Sequence, residues 1–172
     1  MAGLPLWQNY SRSGKSFLRM GRYAEAERMF ASALQVAEEF GPKDPHLGVS
    51  LLNLARACQA MGRFEKAESL LARALAIAET EHGPDHVDVA ATCNSLGGLY
   101  QAMGRLDEAE ACYKRALPIM EKAFGPQHAS VLTVLENYAA MLRKAGRTAE
   151  SGDLEGRVLA ARNQAAKDPG KP

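Results

Sequence analysis

Residues 53–86 read NLARACQAMGRFEKAESLLARALAIAETEHGPDH and contain most of one unit of a repeat that runs through the chain. The turn sequence Met61-Gly62-Arg63-Phe64 within it recurs as Met20-Gly21-Arg22-Tyr23 and as Met103-Gly104-Arg105-Leu106. A weaker copy stands at Ala145-Gly146-Arg147-Thr148. The glycines of successive copies are 41, 42 and 42 residues apart. A fixed period of this length is typical of repeat architectures.

A second set of turn signals divides each period into two segments: Gly41-Pro42, Gly83-Pro84 and Gly125-Pro126. Glycine just past a helix can adopt the left-handed C-cap conformation, and the following proline cannot continue the helix. Within the segments, apolar residues follow steps of three and four, as in Phe64, Ala67, Leu70, Leu71, Ala74, Leu75 and Ala78. This spacing indicates one face of an α-helix, not a strand. Each period is therefore predicted to contain helix A, a tight turn, helix B and a longer loop.

Small residues recur where the two helices of a hairpin would meet. One position of helix A is occupied by Gly14, Ala55, Gly97 and Ala139, and one position of helix B by Ala26, Ala67 and Ala109. Helices approach closely where side chains are small. The pattern favours tightly packed antiparallel hairpins.

These motifs resemble the tetratricopeptide repeat, in the 42-residue variety of kinesin light chains and not the commoner 34-residue form. The second repeat carries Asn53-Leu54-Ala55, Gly62-Arg63-Phe64, Lys66-Ala67-Glu68, Arg73-Ala74-Leu75 and Gly83-Pro84-Asp85-His86. The third carries Glu108-Ala109-Glu110, Arg115-Ala116-Leu117 and Gly125-Pro126-Gln127-His128. The resemblance implies an all-α, right-handed superhelical solenoid of antiparallel helix hairpins, about eight helices in all.

The same resemblance sets the expected domain organisation. We expect one domain over residues 4–162, with four repeats at about 4–41, 42–83, 84–125 and 126–162. The last B helix is degenerate, because Gly152 and Gly156 fall inside its helical pattern. We expect a terminal cap there, followed by a disordered tail at residues 163–172.

In tetratricopeptide proteins the A helices line a concave groove that takes extended peptides. Carried onto this chain, the groove positions are Arg12, Lys15, Arg19, Asn53, Arg56, Gln59, Asn94, Ser95, Gln101, Asn137, Arg143 and Lys144. This set is basic and rich in amides, with Glu136 as the one acid among its neighbours, while most other acids fall on the B helices. Amide side chains can clamp a peptide backbone, and arginine can fork onto a carboxylate or phosphate.

The resemblance and this charge pattern predict a protein–protein interaction scaffold or adaptor that binds an extended acidic segment or a C-terminus. The other interpretation is that these side chains form an ordinary solvated helix face. A second functional hypothesis is a self-associating assembly protein that oligomerises through its terminal repeats. Trp7 and Tyr10 are then an exposed patch on the first helix instead of its apolar side.

The composition is that of an ordinary soluble globular protein and excludes few classes of function. The chain has 172 residues, 47% hydrophobic and 24% charged, with a formal net charge of +1. That balance gives no support for general nucleic-acid binding. Cys58, Cys93 and Cys112 form no CxxC pair, which favours reduced core cysteines. Neither a signal peptide nor a membrane-spanning apolar run is evident, so we expect a cytoplasmic protein without membrane association.

No catalytic constellation stands out in the sequence. The GxSxG nucleophile motif and the GxxxxGK[ST] phosphate loop are missing, and Gly14-Lys15-Ser16 falls within the first A helix. His86 and His128 occupy equivalent repeat positions, which favours a role at helix starts over metal binding. We therefore predict no enzymatic activity, no cofactor and no metal.

Overall fold

The computed structural model describes residues 3–167, which form eight α-helices and no strand. The helices are α1 Gly3–Arg19, α2 Tyr23–Glu39, α3 Pro45–Ala60, α4 Phe64–His82, α5 Val87–Met103, α6 Leu106–Phe124, α7 Ala129–Lys144 and α8 Thr148–Lys167. Odd-numbered helices are the A helices and even-numbered ones the B helices. The predicted all-α fold of helix hairpins is confirmed.

The turns that separate the helices form where the sequence places them. Gly21, Gly62, Gly104 and Gly146 have φ between +72° and +79°, which an L side chain rarely adopts. The longer loops end in side-chain caps, in which Asp44, His86 and His128 accept hydrogen bonds from the first-turn amides of α3, α5 and α7. His86 and His128 therefore begin helices, as the sequence predicted.

The hairpins pack closely at the small residues. An ideal Cβ on Gly14 would lie 2.5 Å from Cε1 of Phe30, and one on Gly97 would lie 2.7 Å from Cε1 of Tyr113. Both rings are fully buried. The glycines are needed because a bulky ring of the partner B helix fills the space that their side chains would occupy.

The arginines of the repeated turns form two kinds of ion pair, one within a repeat and one with the preceding repeat. Arg22 pairs with Glu25 of its own repeat at 2.8 Å and lies 4.6 Å from the centroid of the Phe17 ring. Arg63 instead reaches Glu27 of the preceding repeat at 2.8 Å. Arg105 repeats the arrangement of Arg22, because it pairs with Glu108 and lies over the Tyr100 ring. Arg147 repeats the arrangement of Arg63, because it pairs with Glu110 of the preceding repeat. The basic residue of the repeated turn thus links helices within and between repeats.

The chain divides between Pro84 and Asp85 into two compact units. Unit 1 contains α1–α4, in which α2 packs against both α1 and α3, and α3 packs against α4. Unit 2 contains α5–α8, with α6 packed against both α5 and α7 and with α7 packed against α8. The packing contacts thus cluster into two stacks of two hairpins each, and the single domain expected from the sequence stays a prediction.

The C-terminal helix extends further than predicted. Helix α8 continues to Lys167, so residues 163–167 are helical and not the start of a disordered tail. The remainder of that predicted tail, 168–172, lies outside the described residues. Gly152 and Gly156 are exposed with open space around them, so they cost helix propensity without interrupting α8. None of the described helices has the length and hydropathy needed to cross a membrane.

Candidate peptide-binding groove

Unit 1 contains a pocket of about 560 Å³ where α1, the start of α2 and α3 meet. Its lining consists of Lys15, Leu18, Arg19, Tyr23, Asn53, Arg56 and Ala60. Four of these residues, Lys15, Arg19, Asn53 and Arg56, belong to the predicted groove set. Cations and an amide from two different repeats are therefore brought to one place.

The cations of this pocket stand on helices without acidic residues and form no ion pairs among the described residues. Helices α1 and α3 contain no aspartate or glutamate. Lys15, Arg19 and Arg56 are exposed, and within residues 3–167 none of them forms a hydrogen bond or ion pair. Three unpaired cations around one concavity favour an anionic ligand.

Asn53, which lines the same pocket, has an unused hydrogen-bond donor. Its Nδ2 atom is buried and has no hydrogen-bond partner among the described residues. A buried amide group without a partner costs free energy, about 1–3 kcal/mol. A ligand carbonyl or anionic oxygen that accepted this hydrogen bond would recover that cost.

The other predicted residues of unit 1 lie beside the pocket and not in its lining. Arg12 is exposed on α1 and occupies the repeat position that Asn53 occupies in α3, nine residues before the turn glycine. Gln59 is half-buried near the end of α3. Both share a helix with the pocket residues.

In unit 2 the predicted groove residues are already engaged in hydrogen bonds or ion pairs. Asn137 Nδ2 donates to Asn94 Oδ1 at 3.1 Å, and Lys144 Nζ donates to the backbone oxygen of Gln101 at 2.6 Å. The Ser95 hydroxyl donates to a carbonyl of its own helix at 3.0 Å. Arg143 pairs with Glu155 of α8. A peptide contacting these groups would have to replace existing bonds.

A pocket in unit 2 has a different chemistry. It measures about 270 Å³ and is lined by Glu136, Ala139, Arg143, Glu155, Val158, Leu159 and Arg162. Two ion pairs border it, Arg143–Glu155 and Arg162–Glu136. Its charges are therefore already paired, whereas those of the unit 1 pocket are not.

This difference between the units can be read from the repeat alignment. Lys15 and Arg56 stand six residues before their turn glycines, and the equivalent residues of unit 2 are Gly98 and Ala140. Our prediction treated the four repeats as one basic groove and missed this change. It also missed Tyr23, which follows the Gly-Arg of the first turn and lines the pocket from α2.

A hydrogen bond from Trp7 ties together the two helices that carry the unit 1 pocket. Trp7 Nε1 donates to the Ser50 hydroxyl at 2.8 Å, and its ring meets the His46 ring edge-on at 4.2 Å between centroids. Trp7 also packs on the buried cluster that includes Leu51. This confirms that Trp7 belongs to the apolar side of α1, and Tyr10 on the same helix is half-buried.

The cysteines are poorly suited to nucleophilic chemistry. All three are free, and Cys58 and Cys93 are buried. Burial raises the pKa of Cys58 above its usual value and raises that of Cys112 to about 11. Both thiols therefore stay protonated near neutral pH, which disfavours attack on a substrate.

Comparison with known proteins extends these observations. The sequence model of the tetratricopeptide repeat matches residues 8–80, 51–100 and 88–164. The structure of BtubC (BKLC) from P. vanneervenii is similar at 25% identity with a TM-score of 0.78, over 96% of this chain and 66% of that one. This chain thus spans slightly less than two thirds of BtubC. No curated protein matches the sequence.

Two further structures show likeness of fold. A putative kinesin light chain from Podosopora anserina, with nearly identical TPR-like repeats, is 24% identical with a TM-score of 0.70, over 95% of this chain and 77% of that one. A Rap protein complexed with competence and sporulation factor is 16% identical with a TM-score of 0.78, over 90% of this chain and 42% of that one. Helix hairpins of this kind are therefore shared by proteins with dissimilar sequences.

Proposed function

The chain belongs to the tetratricopeptide repeat family, and from that premise we propose that it is a protein–protein interaction scaffold. Its ligand is an extended acidic segment or a free C-terminus of another protein. The main contact surface is the A-helix face of unit 1, at Lys15, Arg19, Asn53 and Arg56. The protein holds a partner and catalyses no reaction.

The observation that carries the proposal is the unpaired charge of the unit 1 pocket. Three cations and a buried Asn53 amide with no partner among the described residues line one concavity on helices without a carboxylate. Ordinary solvated faces usually mix the two signs of charge. A one-signed concave site attracts and orients an oppositely charged ligand.

The pocket supplies three kinds of contact to such a ligand. Arg19 and Arg56 offer forked donors to carboxylates, and Lys15 offers a point charge. Asn53 can donate to a backbone carbonyl of the peptide. Leu18 and Tyr23 provide apolar surface for a neighbouring side chain. A short acidic segment with one apolar residue beside its carboxylate fits this arrangement best.

The engaged groove residues of unit 2 have a different role in this proposal. Asn94 and Asn137 bond to each other, and Lys144 bonds to the carbonyl of Gln101. These contacts hold α5 and α7 side by side, so we assign them mainly to positioning the A helices of unit 2. We also propose a cytoplasmic location, where the three thiols remain reduced.

The experiment is a selection from a displayed library of random short peptides. Wild-type protein is compared with Arg56→Glu and with the control Arg28→Glu, which makes the same charge change at an exposed position of α2 outside the pocket. We expect the wild type and the control to enrich peptides rich in aspartate and glutamate. Arg56→Glu is expected to lose this enrichment while remaining folded by circular dichroism.

Two results would overturn the proposal. One is selection of neutral or basic peptides by the wild type. The other is an unchanged acidic enrichment in both Arg56→Glu and Lys15→Glu, which would move the site away from the unit 1 pocket.

One observation favours self-association as a second candidate function. Leu4 and Leu6 at the start of α1 are 37% and 50% exposed. Exposed apolar side chains on a helix can bury against a second copy. Sedimentation velocity over a range of protein concentrations tests this: a dimer that Leu6→Ser disrupts supports it, and a monomer at every concentration refutes it.

A further inference from the structure

The unit 1 pocket carries more positive charge than a single carboxylate can neutralise. Lys15, Arg19 and Arg56 carry three positive charges, and no carboxylate among residues 3–167 pairs with them. One aspartate, glutamate or C-terminus brings a single negative charge and two oxygens. A bound carboxylate would leave most of the pocket's charge unbalanced.

We propose that this pocket recognises a phosphorylated side chain, so that phosphorylation of a protein partner strengthens its binding. The inference rests on the proposed function and names the chemistry of the ligand at the same site. A phosphoserine or phosphothreonine brings about 1.5 to 2 negative charges at neutral pH and three strong acceptor oxygens. It therefore matches the charge of the pocket better than a carboxylate does.

The donors of the pocket match the acceptors of a phosphoryl group. The two guanidinium groups are planar forks suited to phosphate oxygens, and the lysine adds a third charged donor. The Nδ2 of Asn53 is a buried donor with no partner in the described part of the chain, and a small turn of this side chain toward the pocket would let it donate to a further ligand oxygen. The pocket is open to solvent, and its volume of about 560 Å³ leaves room for a phosphoryl group and a neighbouring side chain.

The apolar part of the lining favours binding of a phosphopeptide over binding of free phosphate. Leu18, Tyr23 and Ala60 border the charged groups. They offer contact to the peptide residue next to the phosphorylated one, which inorganic phosphate cannot use. The ligand is therefore a phosphorylated segment of a protein, not a free anion.

Unit 2 lacks the equivalent charges. Gly98 and Ala140 stand where Lys15 and Arg56 stand in unit 1, and Arg143 is paired with Glu155. The inference therefore predicts one phosphopeptide bound per chain.

The test is an array in which each short random peptide is printed in three forms, with phosphoserine, glutamate or serine at its centre. The full chain is applied as wild type, as Arg56→Ala, as Lys15→Ala and as the exposed control Arg28→Ala. Matched triplets that bind are then measured by fluorescence anisotropy, and the stoichiometry by isothermal titration calorimetry. Inorganic phosphate is added as a competitor.

We expect the phosphoserine form to bind about tenfold more tightly than the glutamate form, which corresponds to one additional charge-assisted hydrogen bond. Arg56→Ala and Lys15→Ala are expected to shrink this advantage, and Arg28→Ala to preserve it. Inorganic phosphate should compete only weakly.

The inference and the proposed function fail in different ways. Equal binding of the phosphoserine and glutamate forms, both above serine, overturns the inference and leaves the acidic-peptide function standing. Equal binding of all three forms, or none, overturns both. A phosphoserine advantage that survives in Arg56→Ala and Lys15→Ala places recognition elsewhere and overturns the inference. Complete displacement by inorganic phosphate at equal concentration identifies an anion site instead of a phosphopeptide site.

Discussion

Replacing Gly97 with alanine is predicted to destabilise unit 2, whereas the same change at the adjacent Gly98 is predicted to stabilise it. A Cβ on Gly97 would lie 2.7 Å from Cε1 and 2.8 Å from Cζ of Tyr113. That ring is fully buried, stacks on Tyr138 at 5.7 Å between centroids and donates its hydroxyl to Gln101 at 3.2 Å. It has little freedom to move away.

The magnitude follows from two opposing effects. Glycine to alanine within a helix gains up to about 1 kcal/mol of helix propensity at either position. Overpacking a well-filled core costs about 1–3 kcal/mol, and the upper part of that range applies at Gly97 because the contact is with a held ring. We expect a net loss of about 1–2 kcal/mol for Gly97→Ala. The Cβ at Gly98 would lie 3.8 Å from the Tyr113 hydroxyl, an ordinary contact, so Gly98→Ala should gain about 0.5–1 kcal/mol.

The assay is urea unfolding followed by circular dichroism, because the single tryptophan, Trp7, reports on unit 1. The midpoints of Gly97→Ala and Gly98→Ala should move in opposite directions from the wild type at unchanged slope. A Gly97→Ala protein as stable as the wild type would refute the close packing of α5 on α6. Equal shifts of the two variants would refute it as well.

Three further predictions concern acid stability, the α1–α3 contact and salt. Hydrogen bonds from Arg147, and to a lesser extent from Lys114, lower the pKa of Glu110 from its usual 4.5 to about 2. The ionised carboxylate therefore stabilises the folded protein above the usual pKa, and this stabilisation should be lost as the pH falls toward 2. After screening by solvent it amounts to about 1–2 kcal/mol, and Glu110→Gln should flatten the acid dependence of thermal unfolding. Ser50→Ala leaves the Trp7 Nε1 donor without its acceptor and should cost about 1–2 kcal/mol, measured by Trp7 fluorescence in urea. Binding of the selected acidic peptides should weaken steadily with added sodium chloride in fluorescence anisotropy, and salt-independent binding would contradict an electrostatic site.

The helices were predictable because their ends carry strong local signals. Each tight turn needs a left-handed glycine, and each longer loop ends in a residue such as Asp44 or His128 that caps the next helix. Local conformational rules fix these points whatever the distant contacts are. The extent of α8 was not predictable in the same way, because its exposed Gly152 and Gly156 lower helix propensity without ending the helix.

The sequence predicted where the residues of the candidate site lie, but not which of them already have hydrogen-bond or ion-pair partners. The repeat alignment identified Asn53 and Asn137 as equivalent groove residues, yet only Asn137 has a partner, Asn94, in the described residues. Arg143 is neutralised by Glu155 from the last B helix, a contact set by three-dimensional packing. Repeat position determines which face a side chain occupies, whereas its partners depend on neighbouring helices.

The division of charge between the units was nevertheless present in the sequence. Lys15 and Arg56 share a repeat position with Gly98 and Ala140, so comparing repeats one position at a time would have separated the two units. The prediction pooled all four repeats and obscured this. The partition into two packed units depends on contacts between helices, which a repeat period alone does not specify.

The most direct test of the central claim is an NMR titration of ¹⁵N-labelled protein with the acidic peptide that the wild type selects most strongly. The account predicts large shifts of the Asn53 side-chain amide and of the backbone amides around Lys15, Arg19 and Arg56, with smaller changes in α5 and α7. Shifts confined to unit 2 or to the B helices, with the Asn53 side-chain amide unmoved, would contradict it.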